Sequence, residues 1–544
     1  VSKRALKRLQ KFQKNLYEKA FQEASHHPLI DAPTIIKYSE HFYESLPKNF
    51  KKTEVDSILD DLDASDFLLY GDFHTLKQTQ KGLVRLLKEY RHHQPERPIV
   101  LALEMFKARD QELIDRYLRG DLSETQFLQL CQYDHTWGFP WDNYKIILDF
   151  ASGQNIRIVG INTDSAGKDQ LRTRDRFAAK ILQDIHAQNE QALVVCLIGE
   201  YHLADQHLPK HLTPQYELTR ILTNIDHYYF LTGQSSAEAP ATDYLLLKPR
   251  LYCILNSPPW IKWQSYAIWE EMKAVEGQIV DEGANQQILY TEETFDLDYQ
   301  IFNLLTHLTE FLKVDFRKND LTRFHTHLEP NETEVIRILK QSGLPVSQAN
   351  HALERIDREG FYFIPQSSTI LIGEINLNTI AEAAGQFLFS LLHPITNDMN
   401  QADQTYHRIL MTSSGVLASK ILNPRRHDVS RSDYEILLSQ LQRRRLIGYQ
   451  KKLRDATRLI LRILNRLESG EHATLHHSAI NYDHENQFEL STRLGQVIGY
   501  KTYQKIMQTT DSSIEFNYFF QFSAQEIAPK EHYTYLINCL YQQD

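Results

Sequence analysis

The chain opens with a helical pattern. Leu6, Leu9, Phe12 and Leu16 recur near helical spacing, with Lys7, Arg8, Lys11 and Lys14 on other faces. Such a basic amphipathic helix can lie on an anionic membrane or pack on its own domain. From about residue 65 the pattern alternates. "FLLYGDF", "PIVLALEMF", "IRIVGINT" and "ALVVCLIGEY" read as short, nearly continuous apolar strands, and "HYYFLTG" as a fifth. Helical stretches separate them, including "TLKQTQKGLVRLLKEY", where Thr75 and Gln78 are spaced like a capping box, and "RDRFAAKILQDIHAQ". Apolar strands alternating with helices predict a mostly parallel sheet covered on both faces. "YLLLKPRLYCIL" adds a strand or strand pair, and the α/β pattern ends near 275.

Beyond it the pattern is mainly helical. "FNLLTHLTEFL", "NTIAEAAGQFLFSLLH", "SRSDYEILLSQLQ" and "DATRLILRILNRLE" carry it. The reading is therefore α/β followed by a mainly α-helical region. It gives three segments: 1–50 helical, 51–275 α/β, and 276–544 mainly helical, with a winged-helix-like piece near 331–373. Glu354, Arg355, Asp357, Arg358 and Glu359 make the second helix of that piece nearly neutral. A DNA-reading helix is basic, so a structural or protein-contact role is expected instead.

Length and charge narrow the picture. A chain of 544 residues exceeds what one core of about 250–300 residues holds. The formal net charge of −10 argues against a surface adapted throughout to nucleic acid. Cys131, Cys196, Cys253 and Cys539 each sit among apolar residues with no CxxC spacing, and read as reduced. No apolar run approaches the roughly 20 residues of a membrane helix. A cytoplasmic location is expected, or a periplasmic or membrane-associated one if a signal segment has been removed.

The candidate chemistry lies at the strand ends. "LLYGDFH" (68–74) and "CLIGEYH" (196–202) both close an apolar run with Gly, an acid, an aromatic and His. Alternate residues of a strand share a face, so Asp72 and His74 are expected together, and likewise Glu200 and His202. Glu104 closes a third strand, and Asn162 and Asp164 a fourth. In open parallel sheets the carboxyl ends of the strands form the ligand crevice. Three chemistries suit this rim. The acids and histidines could hold a divalent transition metal that activates water, with Asp72, His74, Glu104, Glu200 and His202 as ligands. A His oriented by a carboxylate could act as general base. His or Tyr could ligate haem iron.

Other signals are weaker. Arg454, Arg458, Arg462 and Arg466 form a basic stripe on one helix, with Arg443, Arg444 and Arg445 nearby, suited to an acidic partner or to solvent. His472, His476, His477 and His484 lack the spacing of a zinc site. No P-loop, no GxGxxG after a strand and no GxSxG elbow occurs.

The ordered set "LLYGDFHTLKQTQKGLVRLL", "LALEMF", "RYLRGDLSETQFLQ", "WGFPWDNYKIILDFA", "IVGINT", "RDRFAAKIL" and "VVCLIGEYHLADQHLPKHL" resembles the ChaN-like haem-binding family, over about residues 65–215. That family belongs to a wider group with the Tiki/TraB proteins and the erythromycin esterases. The resemblance implies an α/β domain with haem or iron at the strand ends, and His74, His202, Tyr201, Tyr133 and Trp137 as residues that would contact haem. The Tiki and esterase branches imply instead a metal-dependent hydrolase using His74, Glu104, Glu200 and His202. Asp72 stands where Glu is common, and no lipobox is present. Trp137 and Trp141 could stack on a flat ligand or anchor a helix. A third reading makes the protein an assembly component that meets a protein partner through its helical region.

Overall fold

The computed structural model describes residues 2–25, 33–163, 170–232, 242–281, 297–373, 376–396, 399–442, 449–470, 484–508, 514–523 and 526–541. The described residues form two compact units, one within 13–289 and the other made of 2–12 with 297–541. No helix among them is long and apolar enough to cross a membrane.

The first unit is α/β. Its strands are β1 (Lys51–Thr53), β2 (Phe67–Asp72), β3 (Ile99–Lys107), β4 (Arg157–Asn162), β5 (Leu193–Gly199), β6 (Leu218–Thr223), β7 (Asp243–Lys248) and β8 (Leu251–Leu255). They form one sheet in the order β1-β7-β8-β6-β2-β5-β3-β4. From β8 to β4 every pairing is parallel; β7 and β1 add antiparallel edges. The chain leaves β2 for β3 and β4, then returns with β5 between β2 and β3, and crosses to β6 on the other side of β2. The centre of the sheet is thus where the winding reverses, which is where such folds bind ligands.

Alternation along each strand sorts the core into two layers. Leu68, Tyr70, Leu101, Leu103, Val195 and Leu197 join one, under helices Lys77–His93 and Trp141–Gly153. Phe67, Leu69, Val100, Ala102, Val194 and Cys196 join the other, with Ala178, Ala179 and Leu182 of helix Gln170–Gln188. Both faces are buried, which is why the strands lack polar alternation.

Several local expectations are corrected. "HYYFLT" lies in helix Asp226–Thr232, with Tyr228, Tyr229 and Thr232 buried on one side. Spacings of three and four favour the helix there, and the strand before it is β6, "LTRILT". Its Thr219, Arg220 and Thr223 masked the strand in the sequence. Thr219 is satisfied by the Ser65 hydroxyl (2.7 Å) and Thr223 donates to the Gly71 carbonyl (3.0 Å). No capping box forms at Thr75: the helix starts at Lys77, and Thr75 bonds Ser265 (2.9 Å) instead.

The second unit is mainly helical. Helices Leu377–Leu392, Gln401–Leu422 and His484–Gln508 pack closely. A Cβ at Gly495 would come within 2.7 Å of the Ile409 carbonyl, so the backbones meet only because that residue is glycine. Ser413 donates to the Gly495 carbonyl across this contact (2.9 Å). Helices Glu332–Gln341 and Ala349–Glu359 precede the hairpin of β10 (Phe361–Ile364) and β11 (Thr369–Ile372), and β9 (His325–Leu328) pairs parallel to β11. Helix Tyr449–Glu468 buries Ile460, Leu464 and Leu467, leaving Arg458 and Arg462 exposed.

Candidate functional site

Asp72 is the last residue of β2 and continues the face of Tyr70. That aims it at helices Lys77–His93 and Trp141–Gly153. Its carboxylate accepts from Gln80 (2.5 Å) and from the Tyr144 hydroxyl (2.8 Å), and His74 donates to it from Nδ1 (2.8 Å). Asn143 donates to the His74 carbonyl (3.2 Å). Burial pulls the His74 imidazolium down, but the Asp72 hydrogen bond and charge, with Glu104, more than offset it. His74 therefore titrates above the usual histidine range.

His74 leaves the core at its ring edge. Its side chain is 24% exposed, and the rings of Trp137 and Phe139 lie 4.6 Å from it, centre to centre. With Nδ1 committed to Asp72, Nε2 is the nitrogen that carries a lone pair when the ring is neutral. A Cβ at Gly199 would stand 3.4 Å from Nε2 and 3.5 Å from Glu104 Oε2. The glycine therefore keeps a small space open between the two groups.

Glu104 lies on the opposite face of β3 from Leu103. Arg174 donates to its Oε1, and the Gly199 amide to its Oε2 (2.7 Å). Burial raises its pKa, but Arg174, His202 and His74 outweigh that and hold it at about 2. His202 Nε2 is 3.6 Å from Glu104 Oε1, and His202 donates from Nδ1 to Asp175 (2.5 Å). Tyr38 donates to the other Asp175 oxygen. Two histidines are thus each oriented by a buried carboxylate, with Glu104 between them.

Glu200 goes elsewhere. β5 ends at Gly199, and Glu200–Leu203 is a 3-10 turn. Its three residues per turn separate positions 200 and 202, so the expected shared face does not form. Glu200 instead accepts from Lys262 (3.2 Å), which also lies 3.8 Å from Asp226 and 4.7 Å above the Phe73 ring. Glu200 and Lys262 are both buried. Burial raises Glu200's pKa and Lys262 offsets only part of that. Burial lowers Lys262's, but Glu200 and Asp226 more than restore it.

The other expected residues are spread out. Tyr133 is buried in the first core layer, its hydroxyl without a hydrogen-bond partner among the described residues. Tyr201 packs on Phe42 and Tyr43 at the second layer, where burial and Glu200 push its phenol up to about 12. Trp137 lines His74, whereas Trp141 sits among Tyr117, Phe127 and Tyr133 as an anchor. Asn162 accepts from the Thr163 amide (2.8 Å); Asp164 lies outside the described residues, as do Arg443–Arg445, His472, His476 and His477. Of the five proposed metal ligands, Asp72 bonds His74 and His202 lies beside Glu104, while Glu200 pairs with Lys262. Among the described residues no group of three or more His, Cys, Asp or Glu is placed to hold a metal ion. Gln80, Tyr144, Arg174 and Lys262 occupy the carboxylates instead.

A family model described as haem-binding uptake, Tiki superfamily, ChaN matches residues 58–175. This segment is ChaN-like. The ChaN-like segment contains Asp72, His74, Glu104, Tyr133, Trp137 and Tyr144, and reaches Asp175; Glu200, Tyr201 and His202 follow it. Among solved structures, the chain is similar to one described as cofacial heme binding to ChaN of Campylobacter jejuni. The identity is 14%, with 33% of this chain and 92% of that chain covered and a TM-score of 0.27. No curated protein matches this chain.

Sequence reading missed Tyr144, Arg174, Asp175 and Lys262. Asp175 had a signal: Ala178, Ala179 and Leu182 lie three, four and seven residues on, so it shares the buried face of its helix. Lys262 had one too, as a lone cation between Trp260 and Trp263.

Proposed function

We propose that the α/β unit binds haem at the carboxyl ends of its central strands, with His74 as the iron ligand through Nε2. One observation carries this reading. His74 is the partly exposed histidine at the rim, oriented through Nδ1 by Asp72, with its Nε2 facing a space that Gly199 leaves open. A histidine whose second nitrogen is tied to a carboxylate is the usual arrangement of a metal-bound imidazole. Trp137 and Phe139 supply apolar surface beside it for a flat macrocycle. Haem would supply the iron chemistry; these residues bind and orient it. The ChaN-like match supports the ligand class. His202 is the less suited ligand, because it is buried and its Nε2 faces Glu104.

Ferric-haem titration of the purified protein, followed by visible absorbance, tests this. A saturable, stoichiometric shift lost in His74→Ala and kept in Tyr201→Phe is expected. No shift, or the same shift in His74→Ala, sinks the reading. The Asp175–His202–Glu104 arrangement supports a second one, a hydrolase in which His202 moves a proton. Turnover of peptide or ester substrates that fails in His202→Ala would favour it.

A further inference from the structure

The helical unit carries a cluster of arginines around the carboxylates of Glu359 and Glu489. Arg355 bonds Glu359 (2.7 Å), Arg358 bonds Glu359 (3.0 Å) and Glu489 (3.1 Å), and Arg493 bonds Glu489 (2.8 Å). Three guanidiniums thus already share two carboxylates. Arg408, on helix Gln401–Leu422, is a fourth. It is 9% exposed and has no carboxylate partner among the described residues. Its Nε is buried without a hydrogen bond to any described residue. Its guanidinium lies 4.1 Å above the ring of Phe488, which is itself only partly buried. Burial draws Arg408 down to about 10, a shift that an adjacent carboxylate would oppose.

His351 stands on the same aromatic wall. Its ring is 5.2 Å from Phe488 and 6.2 Å from Tyr362, and its Nε2 is also buried without a partner among the described residues. Burial and Arg355 keep it neutral, at about 4. Arg355 lies 5.4 Å over the Tyr362 ring. A buried cation without a counter-charge is costly, and so is each buried nitrogen without a bond. Both costs fall if an anion with several acceptor oxygens sits there. A guanidinium fork suits phosphate and carboxylate alike.

We infer that Arg408 and His351, walled by Phe488 and Tyr362, form a site for the oxyanion group of a small ligand, a phosphate or a carboxylate. The site lies in the helical unit and does not depend on the haem reading.

Calorimetric titration of the full chain in low-chloride buffer, with inorganic phosphate and separately with citrate, tests it. One saturable site per chain is expected for at least one anion, and the better anion names the group. Arg408→Met, which keeps the packing on Phe488, is expected to weaken that affinity by about 10-fold or more. Arg408→Lys should weaken it less, because the charge stays but the fork is lost. His351→Gln is expected to weaken it several-fold, and circular dichroism checks that each variant is folded. If Arg408→Met does not fold, Arg408→Lys and His351→Gln decide. No saturable binding of either anion by the wild type overturns the proposal, and so do folded variants that bind as the wild type does.

Discussion

Two stretches of this chain share one pattern of Gly, acid, aromatic and His and differ in what they build. In Gly71–His74 the acid and the histidine meet, Asp72 holding His74 at 2.8 Å. In Gly199–His202 they part. Glu200 takes Lys262 from helix Pro259–Asp281, and His202 takes Asp175 from helix Gln170–Gln188. The cause is local backbone. β2 runs through Asp72, so the acid is on the strand and His74 folds back onto it from the turn that follows, whereas β5 stops at Gly199 and Glu200 and His202 both lie in a 3-10 turn. The acid types follow from this. The shorter Asp72 reaches a histidine two residues on, while the longer Glu200 reaches a lysine on another element.

The largest expected effect breaks the second stretch. Lys262→Met leaves Glu200 and Asp226 without their buried cation, and should cost about 3–5 kcal/mol in urea unfolding. Adding Glu200→Gln should recover part of the loss. If Lys262→Met unfolds like the wild type, Glu200 is not held as described.

Glu104, between the stretches, gives a pH test. Its folded-state pKa of about 2 lies below the ordinary 4.5, so its contribution is complete above pH 4.5 and disappears as pH falls toward 2. That contribution is about 3 kcal/mol, at roughly 1.4 kcal/mol per unit. Glu104→Gln should flatten the stability curve in that window, and an unchanged acid limb would count against the Arg174 pairing.

Asp72→Asn sharpens the first stretch. It removes the main group that raises His74, so the imidazole should titrate lower in proton NMR. The stability that Asp72 lends through His74 is complete below pH 6.5 and fades as pH rises through the raised His74 value. Loss of a buried charged acceptor should also cost about 1–3 kcal/mol. A His74 titration unchanged by the substitution would refute the dyad.

The smallest effect separates binding from folding. A Cβ at Gly199 makes ordinary contacts with His74 and Glu104, so Gly199→Ala should shift stability by less than about 1 kcal/mol. The same methyl group narrows the space beside Nε2, so haem affinity should fall while the unfolding midpoint holds. Gly71→Ala, whose Cβ would face Glu200 and Ile221, should leave haem affinity unchanged.

The sequence by itself determined the apolar strands β2, β3, β4 and β5, the helices between them and the change to a helical region. Each rests on periodicity and burial that short windows contain. It also placed Asp72 next to His74, but through a different geometry: β2 ends at Asp72, and His74 reaches back to it from the turn that follows. Only the tertiary structure decided the rest. β6 is legible once its threonines have partners in Ser65 and Gly71, which lie about 150 residues away. Asp175, Arg174, Tyr144 and Lys262 come to the rim on helices whose side chains read in isolation as solvated or core positions. A buried charge finds its counter-charge through space, across the winding of the sheet, and no spacing along the chain records which one it will be.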